Sequence, residues 1–537
     1  MTFGEIFNHV GREVQRKTDD SQTPLQSTFP DHGGGCVALF TPGLEPGRQS
    51  IHERLQSLER TVDEELEERK RFSDLALIGR LKEEAEASLW PAVTQEVAAY
   101  REWLDVAREV HDRLPMHEEA LARVRQQVYL EQVLAGHVEE GAGTEPDWKR
   151  ADFDDLFRFQ TFGKLVTTIS EDLVPLIASV EARRVVASEM LQATLVDPGA
   201  RWDAAIASIR NREQCPQYDG LVLSPQVGLI PIGRDPDSGL WEFGLWKQTG
   251  EIPTRAADGS LTLEDHSGLV FVLIPGGTFA MGATSIRSRR AEHQGLRTNF
   301  DPQANPKEAP VHEVTLDPFF LSKYEMTQGQ WDRFTGTNPS IHGVTAYLAN
   351  WDRLPPDRRL LRLHPVERIG WYDCERVLRQ LGLSLPTEAQ WEYAARGGTT
   401  TVWWSGSKKE SLAGVANLAD AYAQASGGPP GWVYAEWLDD GFVVHAPVGR
   451  FRANPFGLHE VIGNVSEWCR DVFGFYELPV HSGDGDRSPE SADHLYINRG
   501  GAFDDPPSLA RSAYRGYTAP ESSGDSLGVR PSRALLE

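Results

Sequence analysis

Near residue 212 the sequence changes texture, and that change restricts the fold more than any single motif does. Between about 50 and 210, apolar residues recur at intervals of three and four among Glu and Arg, which is the pattern of helices with one buried face. From 265 to 537 that period is lost, and Gly, Trp and Pro crowd the chain. Such backbone cannot satisfy its N–H and C=O groups through long helices, so turns, side chains and bound ions must do so. The fold class read from this contrast is α+β, with a helical N-terminal half and an irregular C-terminal domain.

Four regions follow from composition. Residues 1–45 place Phe3, Ile6, Phe7, Val10 and Val14 at helical spacing, then a polar stretch, then the strand-like run CVALF. One helix and one strand bury no core, so this piece is read as a docking segment. In region 46–211, Ile51, Leu55, Leu58, Val62 and Leu66 share one face, as in a helical bundle or coiled coil. Further helices are predicted over 92–113, 118–136, 152–194 with a break at Pro175, and 199–211, with Pro115 and GHVEEGAGTEPD as interruptions. His111 and His117 are six apart, lack the spacing of a helix-borne metal site, and read as surface histidines. Region 212–264 reads as a small β element, with a hairpin predicted around DPDSG.

The charge excludes some partners. Lys plus Arg is 54 and Asp plus Glu is 79, a formal charge of −25, which repels phosphate backbones and anionic lipid. No nucleic acid and no membrane partner is expected. No apolar run reaches the roughly 18 residues of a spanning helix, and the N-terminus lacks a signal-peptide pattern, so the chain is expected in the cytoplasm. Cys36, Cys215, Cys374 and Cys469 form no CxxC pair or metal-ligand spacing and read as reduced structural thiols.

Region 265–537 carries the motifs. It opens with FVLIPGGTFAMGA (Phe271–Ala283), continues through EAPVHEVTLDPFFLSKYEMTQGQWDRF (Glu308–Phe334) and HPVERIGWYDCERVLRQLGLSLPTEAQWEYAARGG (His364–Gly398), and then GLHEVIGNVSEW (Gly457–Trp468). It ends with NRGGAFDDPPSLARSAYRGY (Asn498–Tyr517) and LGVRPSR (Leu527–Arg533). Thr387 and Gln390 have the spacing of a capping box. In this order the segments resemble the formylglycine-generating enzyme, or sulfatase-modifying-factor, family. The resemblance implies an irregular fold related to C-type lectins, with Trp371, Trp391 and Trp468 in the core. Residues 1–45 also resemble the C-terminal end of bacterial caspase-like peptidase domains.

The chemistry of that family is an oxidation of a substrate cysteine by oxygen, on copper held by two thiolates, the soft ligands monovalent copper prefers. Aligned on Arg499-Gly500-Gly501, this sequence has Asp505 and Ala510 where the resemblance places the two cysteines. Cys469 alone cannot make the pair. A related branch, the sulfoxide synthases, holds non-haem iron through three histidines, and the required His-x3-His-x-Glu spacing is missing here. Neither copper nor iron is expected, and an iron- or copper-dependent oxidase stands as the alternative reading.

Structural calcium is the cofactor the resemblance implies, through hard oxygen ligands. One site would use Asn417, the carbonyl of Leu418, Asp440 and the carbonyl of Phe442. A second would use Glu460, the carbonyls of Gly463 and Val465, and Glu467; the family more often has Asp or Asn at position 460. The expected function is non-catalytic recognition, through a surface built from Arg499, Phe503, Asp504, Asp505, Arg511, Tyr514, Arg515 and Tyr517, since Arg and aromatic residues give much contact energy. The arginines also offer donors for the carbonyls of an irregular backbone. The resemblance implies a protein partner in a bacterial signalling or defence cascade with kinases or caspase-like proteases, and the helical region suits oligomerisation. A third reading is release by proteolysis in 137–150 or 284–307.

Overall fold

The computed structural model describes residues 73–91, 97–138, 145–285, 299–342, 361–487 and 495–536. The expectations for 1–45 and for the apolar stripe Ile51–Leu66, including its coiled coil, lie outside the described residues.

In the helical half, Val97–His111 buries Tyr100, Trp103, Leu104, Ala107 and Val110, a one-sided stripe that packs beside Val174–Leu191. Leu114–Leu134 packs in the same way beside Phe153–Thr167. Pro115 sits in the first turn of its helix, where its missing N–H is not needed. At Pro175 the chain stays helical: a π-helical turn over Thr168–Leu173 precedes it, and the proline occupies the first turn of Val174–Leu191. His117 corrects the surface placement read from its spacing. It is fully buried, with Nε2 3.1 Å from the Asp74 carboxylate, which Arg113 also holds through two hydrogen bonds.

Eleven strands are described: β1 (Leu229–Arg234), β2 (Trp241–Leu245), β3 (Val270–Ile274), β4 (Gly277–Met281), β5 (His312–Leu316), β6 (Phe319–Ser322), β7 (Ser466–Val472), β8 (Tyr496–Arg499), β9 (Gly516–Thr518), β10 (Leu527–Gly528) and β11 (Ser532–Ala534). The main sheet has the order β1-β2-β3-β6-β11, all antiparallel; a four-stranded sheet β10-β7-β8-β9 and the pair β4-β5 complete the set. β1 and β2 form a hairpin around Asp235–Gly239, and its turn is held by the Asp235 carboxylate accepting from the Ser238 N–H and hydroxyl.

The main core runs through this sheet. β2 and β3 are buried at every position, and Phe243 stacks on Trp202 at 5.4 Å and meets Phe320 edge-on at 5.3 Å. Trp202, Ala205 and Ile209 of helix Gly199–Arg210 belong to the same core. The Thr387–Gln390 capping box forms, and a second one forms at Thr327–Gln330. Trp391 and Trp468 are buried, and the half-buried Trp371 donates its indole N–H to the Cys469 carbonyl at 2.8 Å. Cys215, Cys374 and Cys469 are buried free thiols. No helix among the described residues is long and apolar enough to cross a membrane.

Candidate functional site

The site grows from the end of β8. Gly500 and Gly501 follow Arg499 with φ of 95° and 68°, and a Cβ on Gly501 would lie 2.9 Å from the Ala510 Cβ. Only glycine allows the turn to close on the segment that returns at Ala510. The turn therefore packs Gly501 against Ala510.

The four arginines of this region are interior struts. Arg515 grips Glu388 through two hydrogen bonds of 2.6 Å and donates to the carbonyls of Lys307 and Gly474. Arg511 is clamped between Asp301 and Glu308. Arg499 pairs with Glu392 and donates to the Tyr514 carbonyl, and Arg530 pairs with Glu467 while serving the carbonyls of Ser322, Lys323 and His459. All four are buried, so Arg499 and Arg511 are not on a binding surface. Phe503 is also buried, among His342, His445 and Trp432, and Asp504 accepts from the Ser526 hydroxyl.

The other four predicted residues come together. Asp505, Tyr514, Arg515 and Tyr517 line a pocket of about 820 Å³, with Asn305, Lys307, Ser466 and Asn498. Burial, then Asp504, pushes the Asp505 carboxyl up to about 6. Burial, then Asp505, raises the Tyr514 hydroxyl. Lys307 sits with its ammonium 4.2 Å from the Tyr517 ring centre and bonded to the Tyr517 hydroxyl. Sequence reasoning missed Lys307 and Asn305. Their Asn-Pro pair signals a turn, and Asn305 does cap one at 2.9 Å, but nothing local marks a pocket wall.

Thiolate chemistry finds no support in this lining. Ala510 is 1 % exposed, and Cys469 is buried with its thiol pushed well above the ordinary range by burial and then by Asp471. Among the described residues no three His, Cys, Asp or Glu side chains are grouped so as to hold a metal ion.

The two implied calcium sites differ. At the first, Asn417 packs against Gly463 of the second set, where a Cβ would collide with the Asn417 carbonyl. Asn417 is buried and its Oδ1 has no partner, while Asp440 holds the N–H groups of Leu418 and Phe442 beside a second carboxylate, Asp420. An orphaned acceptor beside two acids fits a hard cation. At the second, Glu467 is already bound by Arg530 and by the Trp391 indole at 2.6 Å, and Glu460 accepts from the N–H groups of Gly449 and Phe451. With Glu467 neutralised by Arg530, this set does not fit calcium.

Residues 262–535 match the family described as the sulfatase-modifying factor enzyme 1-like domain. The formylglycine-generating enzyme of Mycobacterium tuberculosis is 30% identical over 246 residues, covering 37% of this chain and 73% of that one. Serine/threonine-protein kinase pkn1 of Chlamydia caviae is 26% identical over 277 residues, covering 49% of this chain and 38% of that one. Among solved structures, PvdO from Pseudomonas aeruginosa aligns with a TM-score of 0.38 and 25% identity, covering 53% of this chain and all of that one.

Proposed function

Given that the chain belongs to the sulfatase-modifying factor family through residues 262–535, we propose that its domain is a recognition module that binds a ligand in the pocket at Asp505 and does not run the copper oxidation. The observation that carries this reading is the pocket itself. A carboxyl, Asp505, stands where the resemblance places one thiolate, and the buried methyl of Ala510 stands where it places the other. A methyl ligates nothing, and a lone carboxylate is a poor ligand for monovalent copper. What the lining offers is charge, hydroxyl groups and aromatic faces, the usual equipment of a binding pocket.

Calcium enters this proposal only at the first site. There Asn417, Asp440 and the carbonyls of Leu418 and Phe442 would hold it, and a bound ion would cross-link two loops that carry no regular hydrogen-bond ladder.

The test is metal analysis and oxygen uptake on full-length protein purified without chelator. We expect no stoichiometric copper or iron, and no oxygen consumption with a thiol peptide. Stoichiometric copper together with thiol-dependent oxygen uptake would make the chain an oxidase and end the recognition reading.

A further inference from the structure

The recognition reading leaves the ligand open, and the charges of the same pocket narrow it. The four buried arginines of this domain, Arg499, Arg511, Arg515 and Arg530, each hold a glutamate. Two lining groups break that pattern. The Asp505 carboxylate accepts only the Ala502 N–H, at 3.1 Å, and no cation among the described residues pairs with it. The Lys307 ammonium rests on the Tyr517 ring and lies 5.7 Å from the Phe473 ring centre, and no carboxylate among the described residues pairs with it. Nor do Asp505 and Lys307 pair with each other, although both line the one cavity. Arg515, the third charged lining group, is already neutralised by Glu388.

A half-buried ion without a counter-ion is costly, and a ligand that brings the opposite charge recovers much of that cost. With one unmatched anion and one unmatched cation, the pocket is complementary to a molecule that carries both. We propose that it binds a small zwitterion, an amino acid or dipeptide whose ammonium is held by Asp505 and whose carboxylate is held by Lys307. Tyr514 and Tyr517 would flank its side chain. The cavity, about 820 Å³, lies within the range of small-molecule sites, roughly 300–1,000 Å³, and takes a dipeptide more fully than a single amino acid.

The test uses the full chain and three probes: the dipeptide Phe-Gly, its C-terminal amide, and its N-acetyl form, followed by titration calorimetry and ligand-observed NMR at neutral pH. Phe-Gly should bind, and each blocked form should bind about ten-fold more weakly, the loss of one charge-assisted contact. Lys307→Met should make the acid and the amide equal while still favouring the free amine. Asp505→Asn should make the free and acetylated amines equal while still favouring the free acid. Equal binding of all three forms to the unmodified chain, or binding of none, overturns the zwitterion assignment. Copper content on the same samples keeps the two failures apart. Failure of the dipeptides on copper-free protein sinks only the zwitterion, whereas stoichiometric copper sinks the recognition reading beneath it.

Discussion

Arg511 and Tyr514 lie three residues apart, and the structure gives them opposite work. Arg511 is buried between Asp301 and Glu308, more than two hundred positions earlier in the chain. Tyr514 faces the pocket. Replacing Arg511 with Met strands two buried carboxylates, which costs about 3–5 kcal/mol and should appear as a large fall in the urea midpoint. Tyr514→Phe removes a hydroxyl that bonds no described protein group and should change stability by less than about 0.5 kcal/mol. Equal effects would refute this division. Sequence reading could not separate the two residues, because local spacing carries no trace of a partner so distant. The acids that bury Arg511 become visible only when the chain is folded. A second residue-scale consequence concerns pH. Burial, then His342, depresses His445 to about 3. The unfolded chain, with an imidazole near the ordinary 6.5, therefore binds more protons between those two values. Stability from this neutral histidine is full above about pH 6.5 and is lost progressively as pH falls towards 3. His445→Asn does not titrate, so its destabilisation measured at pH 7 should shrink at pH 5 by on the order of 2 kcal/mol. A destabilisation that does not depend on pH would show that His445 is not held neutral.

Whole elements were legible where the signal is short-range. The Thr387 capping box needs two residues three apart, and it forms as read; the matching one at Thr327 has the same spacing and went unread. The hairpin around DPDSG follows from a turn and its flanking alternation. Pro175 was misleading, because a proline is tolerated in the first turn of a helix, and Pro175 occupies that turn of Val174–Leu191, directly after a π-helical one. The loops of the two implied calcium sites show the same limit. Asn417, Asp440, Glu460 and Glu467 look alike as sequence, but Glu467 has Arg530 as its partner while Asn417 Oδ1 has none. Calcium added back to chelator-treated protein should therefore raise the melting temperature by several degrees, the shift expected for about 1–2 kcal/mol of binding free energy. Asn417→Ala should abolish that shift and Glu460→Gln should leave it intact. A shift lost in Glu460→Gln and kept in Asn417→Ala would place the ion at the other pair of loops.

At the scale of the molecule, the texture change near residue 212 marks a change of secondary structure, and the hydrophobic core crosses it. β1 and β2 make up one flank of the sheet that contains β3, and Trp202 reaches that core from the last helix before the change. Trp90, farther back, lies between the Arg183 guanidinium at 4.0 Å and the Phe334 ring at 5.6 Å. Periodicity could assign these pieces to helix or strand, but it could not show which of them share an interior. A fragment spanning 265–537 holds every residue that lines the pocket, yet it lacks Trp202, Trp241 and Phe243. Three such aromatic side chains, at roughly 150–250 Å² each and about 25 cal/mol per Å², contribute on the order of 10 kcal/mol of burial. Domains of this size are typically stable by only about 5–15 kcal/mol. Losing β2 also strips β3 of one of its two hydrogen-bonded neighbours and exposes an apolar edge that invites aggregation. The 265–537 fragment should therefore be insoluble or unfold without cooperativity, while a fragment spanning 199–537 should melt cooperatively at a temperature below that of the full chain. If 265–537 melts cooperatively at the temperature of the full chain, β1, β2 and the helix before them are an appendage and not part of the core that holds the pocket in place.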